Sequence, residues 1–508
     1  MRTKNTLKTF LYGVFLTSII AVLGLVKTKV LLTYLGEQYV GVYQLFSQLY
    51  IYLSLVEGGI GASVAFHLYK PIHEKDTDKI NSVYLGAKRY FTIVGIIITL
   101  LGLLLSLEIM LFIKETTIAA WYIKICFVLF VLSSTCNYFT SAHALLYEAE
   151  QKLYKSSNLN HILSICESIV AIIVAILGGK LMLILSLFLV MSVIKNIILI
   201  LNSRRDHSYI KKIKNKDNVD MSFKKEANSL IVTKINTLIT ENVDIIIISK
   251  FIGLASVVTY TAYNQIVNMI KQMIQRLNSA LLPSVGNLLV SDKEKAKATF
   301  KELNAILFFI GSILFAPLLY TLIPFVGLWY GNSYVVNLFT CCLFVLILYI
   351  NILKISLETF VKAAGEFKSV KNSSIYQCIV NLVLSLLLVK RFEIVGVLFA
   401  TVFAFFTGNF IHYPRVISKR IINDKTRNYY KKCFKYILGL GINIGICFIV
   451  SKYLVNKNLF IWLINGIIIF GINFVLTVLY YRITKEDIFV ERIKYFIKKF
   501  KAKKNVKS

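Results

Sequence analysis

The chain has 508 residues, 57% of them hydrophobic and only 17% charged, yet 58 Lys and Arg against 26 Asp and Glu leave a net charge of +32. That apolarity leaves no room for a folded water-soluble domain of ordinary composition. Eight Cys and six His show no CxxC, HExxH or HxxxH spacing, and no Walker A pattern occurs, so common zinc, thiol and ATP-hydrolysing chemistries have no support.

A helix that crosses a bilayer needs about 20 mostly apolar residues, because the hydrocarbon core offers backbone groups no water to bond with. About fourteen such stretches follow one another. The first six are Leu11–Thr33, Val42–Leu68, Tyr90–Ile113, Ile118–Leu146, Ser157–Leu177 and Leu181–Leu201. After the charged segment Asn202–Asn228 come Ile231–Phe251, Val257–Leu282, Leu303–Ile323, Val335–Ile355, Ile375–Val389 and Val395–Tyr413, then a closing pair, Tyr436–Val450 and Leu459–Leu479. Arg2, Lys4 and Lys8 lead straight into the first stretch with no small-residue cleavage site, so no cleavable signal is expected. The pattern predicts an all-α integral membrane protein. Its expected parts are an N-lobe (1–201), a basic cytoplasmic linker (202–228), a C-lobe (229–420), spans thirteen and fourteen (421–481) and a basic tail (482–508).

Charge sets the orientation. With the N-terminus inside, about 43 of the 58 Lys and Arg fall in inner segments and about 7 on the outer side. A split of that size predicts both termini in the cytoplasm. It also argues against nucleic acid as a partner, because the cations are scattered over many short loops; anionic headgroups of the inner leaflet suit them better. In the tail, Phe489, Ile493, Phe496, Ile497 and Phe500 recur at helical spacing opposite lysines, as in a helix lying on a membrane, with a frayed basic tail as the alternative.

The two halves echo each other. LGEQYVGVYQLFSQL from Leu35 aligns without a gap on IGLASVVTYTAYNQI from Ile252, pairing Gly36 with Gly253, Tyr43 with Tyr260 and Gln48 with Gln265. QKLYKSS from Gln151 similarly aligns on FKSVKNS from Phe367 at nearly the same offset. Six spans preserve orientation, so the halves should be parallel repeats about an axis along the membrane normal, with a substrate between them.

Charged groups inside spans cost several kcal/mol unless they meet water or a partner. Lys29 and Lys124 can snorkel outward, and Lys234, Lys354 and Arg276 lie toward the inner surface. Glu57, Asp244, Glu167 and Lys271 lie deeper, and Lys195 has a partner available in Glu167. Asn264, Asn268, Lys271, Gln275 and Asn278 make one polar stripe on the eighth span, widened by Gln265, Gln272 and Arg276. A water-filled cavity reconciles that stripe with a bilayer-length segment; a packed polar helix interface is the alternative. The expected substrate cavity therefore comprises Lys27, Asn264, Asn268, Lys271, Gln275 and Arg276. Glu57 and Asp244 are the expected ion-coupling residues, with H+ and Na+ both open. No metal or other cofactor is expected.

Three runs carry a family resemblance: LLTYLGEQYVGVYQLFSQLYIYLSLVEGGIGASVAFHLYKPI from Leu31, ENVDIIIISKFIGLASVVTYTAYNQI from Glu241, and AAGEFKSVKNSSIYQCIVNLVLSLLLVKRFEIVGVLFATVFA from Ala363. They resemble the bacterial polysaccharide-unit (O-antigen and capsule) flippases of the multidrug/oligosaccharidyl-lipid/polysaccharide exporter superfamily. Glu57-Gly58-Gly59 departs from that family, which usually has a bulky apolar residue after the acidic one, and should loosen the second helix. The resemblance implies a V-shaped, two-lobed monomer in the bacterial cytoplasmic membrane. It would move undecaprenyl-diphosphate-linked sugar units by alternating access, next to glycosyltransferases and a polysaccharide polymerase. Cations suit the diphosphate, and amides suit sugar hydroxyls. A lipid II flippase and a multidrug/cation antiporter are the alternatives within the superfamily. A membrane glycan polymerase or glycosyltransferase would need a charged catalytic loop in water, whereas the longest outer loop, about Pro324–Tyr334, bears no charge, so no enzyme is expected.

Overall fold

The computed structural model describes residues 2–212, 220–223 and 242–484, with side chains from Leu16 onward except at 62, 211–212, 276–280 and 283. All regular structure among them is helical, as hydrocarbon demands of segments that must satisfy their own backbone. Ten of these helices are long and apolar enough to cross a membrane. The protein is a multi-pass membrane protein, and its surface follows from that solvent. Along α4 (Thr77–Leu107), Ile93, Ile96, Leu100 and Leu104 are exposed, while Val94, Ile98 and the small Gly95 and Gly102 face the interior.

The chain divides into two compact units, Met1–Val258 and Thr259–Ser508. The first holds α1 (Arg2–Tyr34), α2 (Glu37–Leu53), α3 (Ile60–Glu74), α4, α5 (Ala120–Thr135), α6 (Ser141–Ala149), α7 (Tyr154–Ile176), α8 (Leu181–Asp206) and α9 (Asp244–Phe251). Its core includes Val64 and Leu68 of α3, Tyr84, Phe91 and Ile98 of α4, and Leu146 of α6. Phe223, from the linker, is fully buried among them. The predicted linker is therefore not charged loop throughout: Ser63 donates to the Phe223 carbonyl at 2.9 Å, and Lys79 meets Asp220 at 2.8 Å.

Two predicted spans of this unit are not single helices. Val42–Leu68 breaks where Gly58 and Gly59 both take positive φ, 66° and 78°, values a side chain resists. Glu57 closes the short 3-10 turn Ser54–Glu57 before that break, so it sits at a helix interruption rather than within a continuous span. Ile118–Leu146 likewise passes through a 3-10 stretch, Cys136–Thr140. Asp244 is also not in mid-helix: it is the first residue of α9, just after a bend at Val243. Residues 231–241 of that predicted span, Lys234 included, lie outside the described residues.

α10 (Leu254–Ser291) carries the chain into the second unit. There follow α11 (Lys293–Trp329), α12 (Leu338–Ala363), α13 (Phe367–Thr407), α14 (Asn409–Val416), α15 (Thr426–Ser451) and α16 (Leu459–Ile483). α13 contains two predicted spans, joined at Glu393, whose φ is 50° and ψ −132°. The chain doubles back there, so that Asn381 donates to Thr401 at 2.8 Å. Polar contacts stitch α11, α15 and α16 together: Asn473 donates to the carbonyls of Ser312 and Ile313 at 2.9 and 2.8 Å, and Asn443 to Thr477 at 2.8 Å. Such bonds average roughly 0.6 kcal/mol in a bilayer, where apolar burial gives helices no reason to choose one neighbour over another.

Candidate functional site

Each unit has a polar region formed by its helices. In the first unit a cavity of about 450 Å³ is lined by Glu57, Glu167, Asn137, Asn160, Tyr50 and Tyr138, with serines from α5, α6, α7 and α8. Local folding explains the supply of groups. The break after Glu57 and the 3-10 stretch containing Asn137 both interrupt helices, and so turn side chains and backbone inward that a regular helix would direct elsewhere. Lys195 of α8 is buried, and its ammonium donates to Asn137 Oδ1 at 2.5 Å and Asn160 Oδ1 at 3.1 Å. Lys195 and Lys27 also act electrostatically on Glu167. Lys27 lies over the Tyr43 ring, 5.2 Å from its centroid. The hydrogen bonds of the Lys195 ammonium thus go to two amides, and its influence on Glu167 is electrostatic only. The cavity offers two carboxylates, amides and hydroxyls, groups that can take a proton, a cation or a hydroxylated ligand.

Asp244 does not line this cavity. It is buried, 6% exposed, at the N-terminus of α9, where the helix dipole favours a carboxylate. The structure therefore does not bring the two expected coupling residues into one site.

In the second unit α10 buries Tyr260, Tyr263 and Val267, with Tyr263 stacked on Phe344 at 5.3 Å. That packing leaves Asn264, Asn268 and Lys271 half-buried and Gln275 exposed, so the stripe is a partly open face. Gln265, which widens it, accepts from the Tyr330 hydroxyl at 3.3 Å. The Arg276 and Asn278 side chains lie outside the described residues. Lys271 acts electrostatically on Glu358 of α12, which also pairs with Lys354 at 3.7 Å and Lys362 at 3.0 Å. Three lysines around one carboxylate leave a net positive cluster. Lys354 is accordingly part of this cluster and not simply a residue reaching the surface. The sequence holds the signal for three of its four members, since Lys354, Glu358 and Lys362 recur every fourth residue.

A second ladder escaped the sequence reading. Ser373, Gln377, Asn381 and Ser385, again every fourth residue of α13, are all buried. Gln377 Oε1, Asn381 Oδ1 and Ser385 Oγ have no hydrogen-bond partner among the described residues. Amide and hydroxyl oxygens of this kind suit a hard monovalent cation or water. Among the described residues no group of three or more His, Cys, Asp or Glu could hold a metal ion, and all eight cysteines are free.

No family model matches the sequence, and no curated protein matches it. Solved structures do match its fold. The lipid II flippase MurJ in an inward closed conformation aligns over 93% of this chain and 99% of its own, with a TM-score of 0.64 at 15% identity. An inward-facing multidrug resistance MATE family transporter of the MOP superfamily aligns over 80% of this chain and 98% of its own, with a TM-score of 0.61 at 12% identity. An outward-facing multidrug resistance MATE family transporter of the MOP superfamily gives 0.56 at 13% identity over 80% of this chain and 93% of its own. The chain thus has the all-helical membrane fold shared by that flippase and those transporters.

Proposed function

We propose that this protein is a transporter that flips a lipid-linked, diphosphate-bearing oligosaccharide across the bacterial cytoplasmic membrane for surface polysaccharide synthesis. The observation that carries this reading is the cationic cluster of the second unit: Lys271, Lys354 and Lys362 around Glu358, next to the partly open amide face of Asn264 and Asn268. Lysines neutralise a diphosphate, and amides exchange hydrogen bonds with sugar hydroxyls, so the two kinds of group fit the two ends of such a headgroup. A fold match to a flippase over 93% of the chain supports the same reading, where the MATE matches leave about a fifth of it unaligned.

Movement of the anion outward is downhill in an inside-negative cell, by about 2.3 kcal/mol per charge per 100 mV. Glu57, Asp244 and the α13 oxygen ladder are the groups through which H+ or Na+ would be coupled. A cation antiporter is the second reading, favoured by the carboxylate pair Glu57 and Glu167 in the first unit's cavity. Proteoliposomes separate the two. Under the first reading the reconstituted protein translocates a polyprenyl-diphosphate oligosaccharide, and a cationic dye neither moves nor competes. Dye efflux without glycan translocation would establish the antiporter, and translocation confined to lipid II would change the substrate but not the class.

A further inference from the structure

The second unit contains a cavity that the transport reading does not use. It lies between the first turns of α11, the connection 417–425 and the start of α15, with a volume of about 300 Å³. Its walls are mostly apolar and well buried: Phe300, Phe308, Ile422, Tyr429, Cys433 and Tyr436 are each at most 9% exposed. Of the two buried polar wall residues, Asn304 and Ser418, Asn304 is already bonded to the Phe300 carbonyl and the Ser356 hydroxyl. Ring contacts fix these walls, with Phe308 and Tyr436 centroids 4.9 Å apart and Phe300 stacked on Tyr429 at 6.2 Å. The mouth has the opposite character. Lys301, Lys425, Lys431 and Lys432 rim it, against one carboxylate, Asp424. That carboxylate is already engaged by Lys301 at 2.8 Å, by the Lys425 backbone N–H at 2.8 Å and by Asn428 at 3.0 Å. The rim therefore retains excess positive charge, and Lys425 and Lys431 are exposed.

The depth matches a lipid. Lys301 and Phe308 are seven residues apart on one helix, about 10 Å along its axis. A phosphate on the lysines would thus hang an acyl chain directly beside the aromatic floor. Apolar side chains outnumber the polar wall residues Asn304 and Ser418, which favours an acyl chain over a polar ligand, and a neutral lipid would gain nothing from the rim. We propose that this cavity is a binding site for an anionic phospholipid, one acyl chain inserted between α11 and α15 and its phosphate held by Lys425, Lys431 and Lys432. The site ties the α11–α15 packing to the charge of the surrounding leaflet.

Native mass spectrometry of the detergent-solubilised full chain, titrated with phosphatidylglycerol or phosphatidylcholine of equal chain length, tests this. One saturable phosphatidylglycerol is expected, with phosphatidylcholine bound only weakly. Lys425→Gln with Lys431→Gln, both at exposed positions, should weaken phosphatidylglycerol by about fivefold per lysine and leave phosphatidylcholine unchanged. Cys433→Trp, which fills the cavity, should abolish the saturable site. A photoreactive acyl chain on phosphatidylglycerol should label Phe300–Phe308 or Tyr429–Tyr436. Equal binding of the two lipids, unchanged affinity in the lysine pair, or labelling elsewhere would overturn the assignment. So would displacement by a peptide of residues 485–508, which would give the cavity to the chain's own tail. Occupancy by a polyprenyl diphosphate alone would make it a substrate subsite instead.

Discussion

Lys271 is the residue on which the proposed function most depends. It sits on the partly open face of α10, and its charge reaches Glu358, where Lys354 and Lys362 already pair. Lys271→Ala should abolish glycan export in cells at unchanged membrane abundance, and Asn268→Ala should reduce it. Normal export by Lys271→Ala would mean that the stripe serves helix contacts, at roughly 1 kcal/mol each. The acidic residues make a second prediction, in liposomes with an imposed pH or Na+ gradient at clamped potential. Glu57→Gln and Asp244→Asn keep shape and an acceptor oxygen while removing the titrating charge. Loss of the gradient response in either variant marks the coupling residue, and an unchanged response in both leaves them structural. Because Glu57 lines the first unit's cavity and Asp244 does not, Glu57→Gln is expected to show the larger loss.

At the scale of elements, the breaks matter more than the helices. Gly58 and Gly59 end the turn that carries Glu57, and the Cys136–Thr140 stretch carries Asn137, so both interruptions feed the same cavity. The linker is an element too. Asp220 accepts from Lys79 and from the Ser222 N–H, and these hold its carboxyl down at about 2. A folded value below the ordinary carboxylate value of about 3.9 means that the docking energy is fully present above that pH and fades as pH falls toward 2. Amide protection at residues 220–223, followed by hydrogen exchange, should accordingly hold at pH 5 and decline toward pH 2. Lys79→Gln should move the midpoint of that decline up toward pH 4. Protection that ignores both pH and Lys79 would assign the docking to Phe223 burial alone.

For the whole molecule, one echo in the sequence coincides with a shared backbone feature. Gly36 and Gly253, aligned by the first echo, both take positive φ, 93° and 135°, and each directly precedes a helix. Topology is the prediction at this scale. Cysteine placed at the exposed Asn332 should react with an impermeant thiol reagent added outside, and cysteine at the exposed Lys75 should not. The reverse pattern would invert the orientation and with it the leaflet of every lysine-rich loop, including the rim around Lys425.

The sequence by itself determined the class of molecule and most of its helices. In hydrocarbon each backbone group must bond within its own segment, so length and apolarity alone mark a span. It also marked which faces carry polar groups, because the 3.6-residue period writes the Asn264–Gln275 stripe and the Lys354–Lys362 row directly into the spacing. Only the tertiary structure decided what those faces meet. Glu57 and Glu167 come together from helices more than a hundred residues apart, and Lys271 joins Glu358 across two helices. Asp244 does not line the cavity that holds Glu57. The physical reason is that lipid tails are as apolar as the helices they surround. Hydrophobicity therefore fixes where a helix lies but not its neighbour, and that choice falls to small residues, helix breaks and a few buried hydrogen bonds.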